Sequence, residues 1–399
     1  MLNEETPFHE RFEDTKDSKT RAVRKILSAA IPSVVSSTAK YYKEGPTLEQ
    51  WNLAYYVTAN TVKRSMKNLA SDEIPNIAGA QKISSIAGYL PLNAKVKEES
   101  IMTNEKVINF IKDRAPGEWP KPAEQVTEIY GEWVTVPKSQ NDKVVYLLHG
   151  GAYVMGSALM YRPFAYIYAK KSESSVYSLN YRLAPQNPYP CAVIDAVSGY
   201  LHLLEKYDPK NIVLIGDSAG GGLVISTLLV LRDMGIESPA GGVCLSPWLD
   251  LTHSCPSFHE NAKYDILPTP PPDPRLESRV HYYAPDEHLK IPYVSPFWEE
   301  NLDNLPPLLI HAGSAEQLFD EIVVFSGRLA KSNTSITLEV FEAHLHVFQG
   351  IMRFSKGAKV AYGRIGEWIK KVRAAKGVLD EKQRNDLDFN GNFVGSSKL

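Results

Sequence analysis

The stretch NIVLIGDSAGGGL, residues 211–223, decides the reading of this chain. NIVLI is a short apolar run of the kind that forms a buried strand. GGGLVISTLLVLRDM, which begins at Gly220, has a helical pattern. Between them Gly216, Asp217, Ser218, Ala219 and Gly220 spell G-x-S-x-G. In a strand-to-helix turn that pattern has a mechanical meaning. The glycines let the backbone fold sharply enough for the serine hydroxyl to stand clear, and the helix N-terminus favours nearby negative charge. A glycine-rich helix start would share the composition. The strand before it and the helix after it favour Ser218 as a nucleophile, with Asp217 fixing the elbow.

Upstream, VVYLL at 144–148 runs into His149-Gly150-Gly151-Ala152. Acyl transfer places negative charge on a carbonyl oxygen, and that charge needs donors already in place. Glycines allow backbone N–H groups to approach closely. The amides of Gly150 and Gly151, with that of Ala219, are the expected oxyanion hole. His149 is expected to be a structural residue rather than a base.

Strand and helix patterns alternate on both sides of this centre. Period-two alternation starts at 126–136 and continues in 144–150. These two runs read as a hairpin with residues 138–143 as its turn. Strands follow at 174–182, 241–247, 306–313 and 335–343, with helices between them. Such alternation predicts an α/β fold with a mostly parallel sheet and helices on both faces. Residues 1–124 are helical in pattern and show no obvious strand, so they read as an N-terminal helical cap. The catalytic domain is then 125–376, interrupted at about 251–304 by an insertion too long for a plain connection. Residues 377–399 form a polar tail.

Composition narrows the function classes. The 399 residues carry a formal net charge of -2 and no basic stripe, which argues against a nucleic-acid partner. Three cysteines, Cys191, Cys244 and Cys255, lack metal-type spacing. No run approaches the length of a transmembrane helix, and the acidic leader and Pro32 argue against a signal peptide around 21–35. No cofactor or metal is expected. The chain ends Ser397-Lys398-Leu399, which matches a receptor-read peroxisomal address. The expectation is a peroxisomal protein that meets an import receptor, or a cytoplasmic one if the tail is not read.

HGGA, YRLAP at 181–185, GDSAGG, SPW at 246–248, GSAEQLFDE at 313–321 and HVFQ at 346–349 stand in a recognisable order. Across roughly 125–370 the chain resembles the hormone-sensitive-lipase-like esterases of the α/β-hydrolase superfamily. Its long N-terminal region and insertion are similar to those of fungal and yeast members, among them steryl-acetate deacetylases. The resemblance implies an α/β-hydrolase fold with a helical cap or lid, and the chain order serine, acid, histidine. His344 and His346 both lie downstream of Ser218. The match of HVFQ to the family's histidine loop picks His346. Glu316, Asp320 and Glu321 compete as the acid. Glu316 stands where the family usually carries Asp in D-P-L, and Asp320 and Glu321 read as anchors. Gln186 replaces the family's usual Glu after YRLAP, which puts local hydrogen bonding there in question. The cap and insertion would cover the site, with Tyr153, Met155, Trp248 and Phe258 either lining an acyl pocket or packing as ordinary core.

The implied function is a serine esterase acting on short- to medium-acyl esters, lactones, or acetylated sterols or secondary metabolites. An acyltransferase on the same triad and a non-catalytic ligand receptor on the same scaffold are the alternatives. Retention of all three triad residues weighs against the receptor.

Overall fold

The computed structural model describes residues 16–69, 90–91, 93–114, 120–268 and 278–379. The tail signal at 397–399 and most of the proline-rich run at 268–274 lie outside them. Helices of at least eight residues are labelled here. Along the chain come α1 (Lys16–Glu44), α2 (Leu53–Leu69), β1 (Lys95–Met102), α3 (Glu105–Lys112), β2 (Glu128–Thr135) and β3 (Gln140–Leu148). Then follow α4 (Ala158–Ser172), β4 (Ser174–Asn180), α5 (Cys191–Leu204), β5 (Ile212–Asp217), α6 (Ala219–Asp233) and β6 (Gly241–Leu245). The last are β7 (Leu308–Gly313), α7 (Phe319–Leu329), β8 (Ile336–Phe341) and α8 (Lys356–Ala374).

The strands form one sheet of eight, in the order β1-β2-β4-β3-β5-β6-β7-β8. From β4 through β8 every pairing is parallel, and β1 and β2 add an antiparallel edge. The expected hairpin between 126–136 and 144–150 does not form. β2 pairs with β1 and β4, while β3 lies between β4 and β5. The burial explains why. Val144 to Leu148 are all buried, so β3 needs cover on both faces and takes a central parallel position. Gln140 opens β3 inside the expected turn.

The N-terminal region also differs from expectation. KVKEESIM at 95–102 is an edge strand, mostly exposed, with Val96 and Glu99 half-buried and only Ile101 buried. Val107, Ile108 and Ile111 of α3 join the main core. The hydrolase body therefore begins near residue 95 rather than 125. Among the described residues only α1 and α2 stand apart from it in sequence. α2 packs Tyr55, Tyr56 and Ala59, with Trp51 just before it, against Phe341, Ala343, Leu345 and Phe348 at the C-terminal end of the sheet. The insertion is not a loose appendage either. Leu251, Phe258, Val280, Tyr283 and Tyr293 join the same core as α6, whose residues Ala219 to Leu231 are all buried.

No helix among the described residues is long and apolar enough to cross a membrane.

Candidate active site

Ser218 sits at the C-terminal end of β5, where the chain turns into α6. Its backbone is held at φ 54 and ψ -125, a conformation that costs a non-glycine residue of order 1–3 kcal/mol. The strain persists because both neighbours are pinned. The Ser218 N–H donates to Leu245 O at 2.9 Å, and its carbonyl accepts from Trp248 N–H at 2.9 Å. The flanking glycines are required by close approach. A Cβ on Gly216 would lie 2.3 Å from Gly220 O, and one on Gly220 would lie 2.2 Å from Leu148 O. The elbow is wedged between two backbones, which leaves the serine hydroxyl as the group that projects.

That hydroxyl meets His346. Ser218 Oγ is 2.9 Å from His346 Nε2, and His346 Nδ1 is 3.0 Å from Glu316 Oε2. The Gly313 N–H donates to Glu316 Oε1 at 2.8 Å. Glu316 comes from the turn after β7 and His346 from the loop after β8, so the ends of β5, β7 and β8, with β6 between the first two, deliver the three groups. With the carboxylate on Nδ1, that nitrogen carries the hydrogen, and Nε2 is free to accept a proton from the serine. Burial alone would lower the imidazole pKa. The hydrogen bond and charge of Glu316, with the charges of Asp265 and Asp217, leave it raised above the ordinary histidine value.

His344 does not reach the serine. Its Nδ1–H donates to Glu342 O at 2.8 Å, and its ring lies edge-on to Tyr55, Phe341 and Phe348. Burial pushes its pKa down to about 4, so it stays neutral and belongs to the packing behind the loop. The other two carboxylates are anchors. Asp320 Oδ2 accepts the Ser257 N–H at 2.8 Å, and Glu321 Oε1 accepts the Leu249 N–H at 2.7 Å. Asp320 ties the insertion to α7, and Glu321 ties the segment just before the insertion. Gln186 is exposed. In its neighbourhood Arg182 forks onto the buried Asp195, with contacts of 2.7 and 3.0 Å.

The loop 149–153 requires one correction. The Gly150 N–H, expected to face the substrate oxygen, donates to Tyr161 Oη at 3.0 Å. Tyr161 in turn donates to Asp217 Oδ2 at 2.9 Å. The amide is spent on a structural relay from loop to elbow. The amides of Gly151, Ala152 and Ala219 have no acceptor among the described residues. Gly151 has φ +120, and a Cβ there would lie 2.1 Å from Met155 O, so the turn needs glycine. Ala152 follows at φ 53. His149 supports the loop from below. It stacks on Tyr181 at 4.2 Å, and its Nδ1 lies 2.8 Å from Gly150 O. Burial lowers its pKa to about 4, consistent with a neutral structural ring.

Three of the four expected pocket residues belong to one aromatic series. Trp248 stacks on His253 at 5.5 Å, and His253 stacks on Phe258 at 3.7 Å. Tyr153 lies 6.2 Å from Trp248 and stacks on Tyr283 of the insertion at 3.8 Å. Met155 is only partly buried, and its carbonyl packs under Gly151. His253, Tyr283, Tyr161 and Asp265 carried no motif in the sequence. Among the described residues no group of three or more His, Cys, Asp or Glu side chains is arranged to hold a metal ion.

Residues 144–350 match a family model described as alpha/beta hydrolase fold. The chain is similar to an acetyl-hydrolase of Streptomyces hygroscopicus, 36% identical over 218 residues, which are 54% of this chain and 71% of that protein. It is similar to an esterase of Acinetobacter venetianus, 31% identical over 57% of this chain and 74% of the relative. Among solved structures it resembles an esterase from the bacterial hormone-sensitive lipase family. The TM-score is 0.66 at 30% identity, with 79% of this chain and 98% of the other covered. With the parallel sheet and the elbow, these likenesses have one reading. The chain belongs to the α/β-hydrolase-fold family, within its hormone-sensitive-lipase-like esterases.

Proposed function

We propose that this chain hydrolyses short- to medium-acyl carboxylic esters through an acyl-enzyme on Ser218. The observation that carries the reading is the continuous chain of contacts from Ser218 Oγ through His346 to Glu316, at 2.9 and 3.0 Å. In the first half-reaction Ser218 Oγ attacks the ester carbon while its proton passes to His346 Nε2. The tetrahedral oxyanion is held by the free amides of Gly151, Ala152 and Ala219. His346 then returns the proton to the departing alcohol oxygen, which leaves an acyl group on Ser218. In the second, water gives its proton to His346 as it attacks that acyl carbon, and the carboxylic acid departs as Ser218 recovers its hydrogen. Glu316 holds the imidazole in the working tautomer and stabilises its charged form.

The apolar surroundings support an uncharged acyl group. Trp248, Phe258 and Tyr153 are all buried beside the elbow. The relative named as an acetyl-hydrolase supports a small acyl group. Hydrolysis of p-nitrophenyl esters from acetate to palmitate tests the reading. The expected profile peaks at acetate to hexanoate, and Ser218→Ala reduces every rate by several orders of magnitude. A profile rising toward palmitate, or full activity in Ser218→Ala, would refute it.

A further inference from the structure

The loop that carries His346 is gripped by its backbone. The Leu345 N–H donates to Tyr55 Oη at 3.2 Å, the His346 N–H to Asp265 Oδ1 at 3.0 Å, and the Val347 N–H to Ser246 Oγ at 3.0 Å. Three successive amides are thus held by side chains from three separate regions: α2, the insertion, and the end of β6. Trp51 adds a fourth contact, its indole N–H donating to Ala343 O at 2.7 Å.

Asp265 does more than accept one amide. Its carboxylate is fully buried and also accepts the Ile266 N–H at 2.7 Å and the Gln317 N–H at 2.8 Å. Gln317 directly follows Glu316, so one carboxylate ties the backbone of the base to the backbone beside its acid. A buried carboxylate is costly unless its oxygens are satisfied, and here backbone amides satisfy them. Lys63 of α2 is the nearby cation. It donates to Ala262 O three residues before Asp265 and interacts with the carboxylate through charge. Tyr55 is buried too, its ring edge-on to His344 at 5.8 Å.

We propose that Asp265 and Tyr55 are positioning residues for His346, through which the insertion and the N-terminal helix α2 set the geometry of the catalytic base. The inference rests on His346 being that base. Neither side chain touches the Ser218 hydroxyl, so neither is a catalytic residue. What they fix is the path of the backbone at 345–347 and hence the place of the imidazole. The consequence is that α2 acts from behind the histidine loop as a clamp.

The two residues differ in charge, which separates their effects. The titratable groups facing His346 are Glu316, Asp265 and Asp217. Removing the Asp265 charge takes away one of the negative charges that raise the imidazole pKa. Tyr55→Phe leaves the charges as they are and removes only the acceptor for Leu345 N–H.

The test measures kcat and KM for p-nitrophenyl acetate from pH 5 to 9 in Asp265→Asn, Tyr55→Phe and His346→Ala, with circular dichroism to establish folding. A displacement of the base by about 1 Å can cost on the order of 10²-fold, so Asp265→Asn is expected to lose about 10–100-fold in kcat with little change in KM. Its acid limb should move to lower pH. Tyr55→Phe should lose about 3–10-fold in kcat, less because one hydrogen bond is removed and no charge, with its acid limb in place. A purely structural role would lower melting temperature and leave the acid limb of the folded enzyme unmoved. Wild-type kcat and an unmoved limb in folded Asp265→Asn would overturn the inference. If that variant does not fold, Tyr55→Phe decides alone, and wild-type kcat in it has the same force. Loss of hydrolysis in His346→Ala beside wild-type rates in both positioning variants would defeat this inference only. Wild-type rates in His346→Ala would defeat the esterase mechanism on which it rests.

Discussion

Glu316 and His346 form a pair whose two members depend on each other. The imidazole must be neutral to take the serine proton, and its pKa is raised by the buried carboxylate at 3.0 Å. The acid limb of kcat/KM is therefore expected to have its midpoint above the ordinary histidine value of about 6.5, with activity lost as pH falls through it. Glu316→Gln removes the charge and leaves the shape. The limb should shift to lower pH while kcat falls by about 10³–10⁴-fold, because the amide no longer stabilises the imidazolium or holds the right tautomer. A pH–rate profile of the two proteins checks both effects. An acid limb shared by wild type and Glu316→Gln would contradict the pairing. The sequence singled out Ser218 through the local elbow motif, and His346 and Glu316 through the resemblance of HVFQ and GSAEQLFDE to the family's segments, and the three side chains do stand in contact. Asp265 was not legible there. It stands alone in YDIL, and its meaning arises only when the insertion brings it against residues 317 and 346.

The elements show where periodicity informs and where it does not. The burial pattern of β5 and α6 follows directly from NIVLIG and the helical run after it. The neighbours of β2 do not follow from its own alternation, because any buried strand edge can satisfy its amides. Competition from the buried half of β3, Val144 to Leu148, for the centre of the sheet decides the matter. The strand β1 escaped notice because a charged edge strand such as KVKEESIM has little apolar signal. At this scale the loop before α4 and the elbow before α6 are joined by one tyrosine. Tyr161→Phe removes the hydroxyl that accepts from the Gly150 N–H and donates to Asp217 Oδ2. Each buried group left unsatisfied costs about 1–3 kcal/mol, so a melting temperature several degrees lower is expected. The rate constant kcat should fall with it, because Gly151 and Ala152 belong to the loop that Tyr161 secures. Thermal denaturation and initial rates on the same preparation read both. An unchanged melting temperature and kcat would mean that the relay carries nothing.

Across the whole molecule, the sheet brings three strand ends to one edge and the surrounding segments complete what the sheet leaves open. The ends of β5, β7 and β8 carry Ser218, Glu316 and His346, to which the proposed mechanism gives the roles of nucleophile, acid and base. The loop after β3 supplies unbonded amides, and α2 and the insertion hold the base in place. Every step assigned to this assembly requires Ser218 to be the one group that becomes covalently bound to the acyl moiety. The most direct measurement is intact-protein mass spectrometry after treatment with a fluorophosphonate, followed by peptide mapping. One adduct per chain is predicted, located on Ser218, formed as hydrolysis of p-nitrophenyl acetate is lost, and absent from Ser218→Ala. An adduct on another residue that accompanies the loss of activity, or full labelling of Ser218→Ala, would contradict the account.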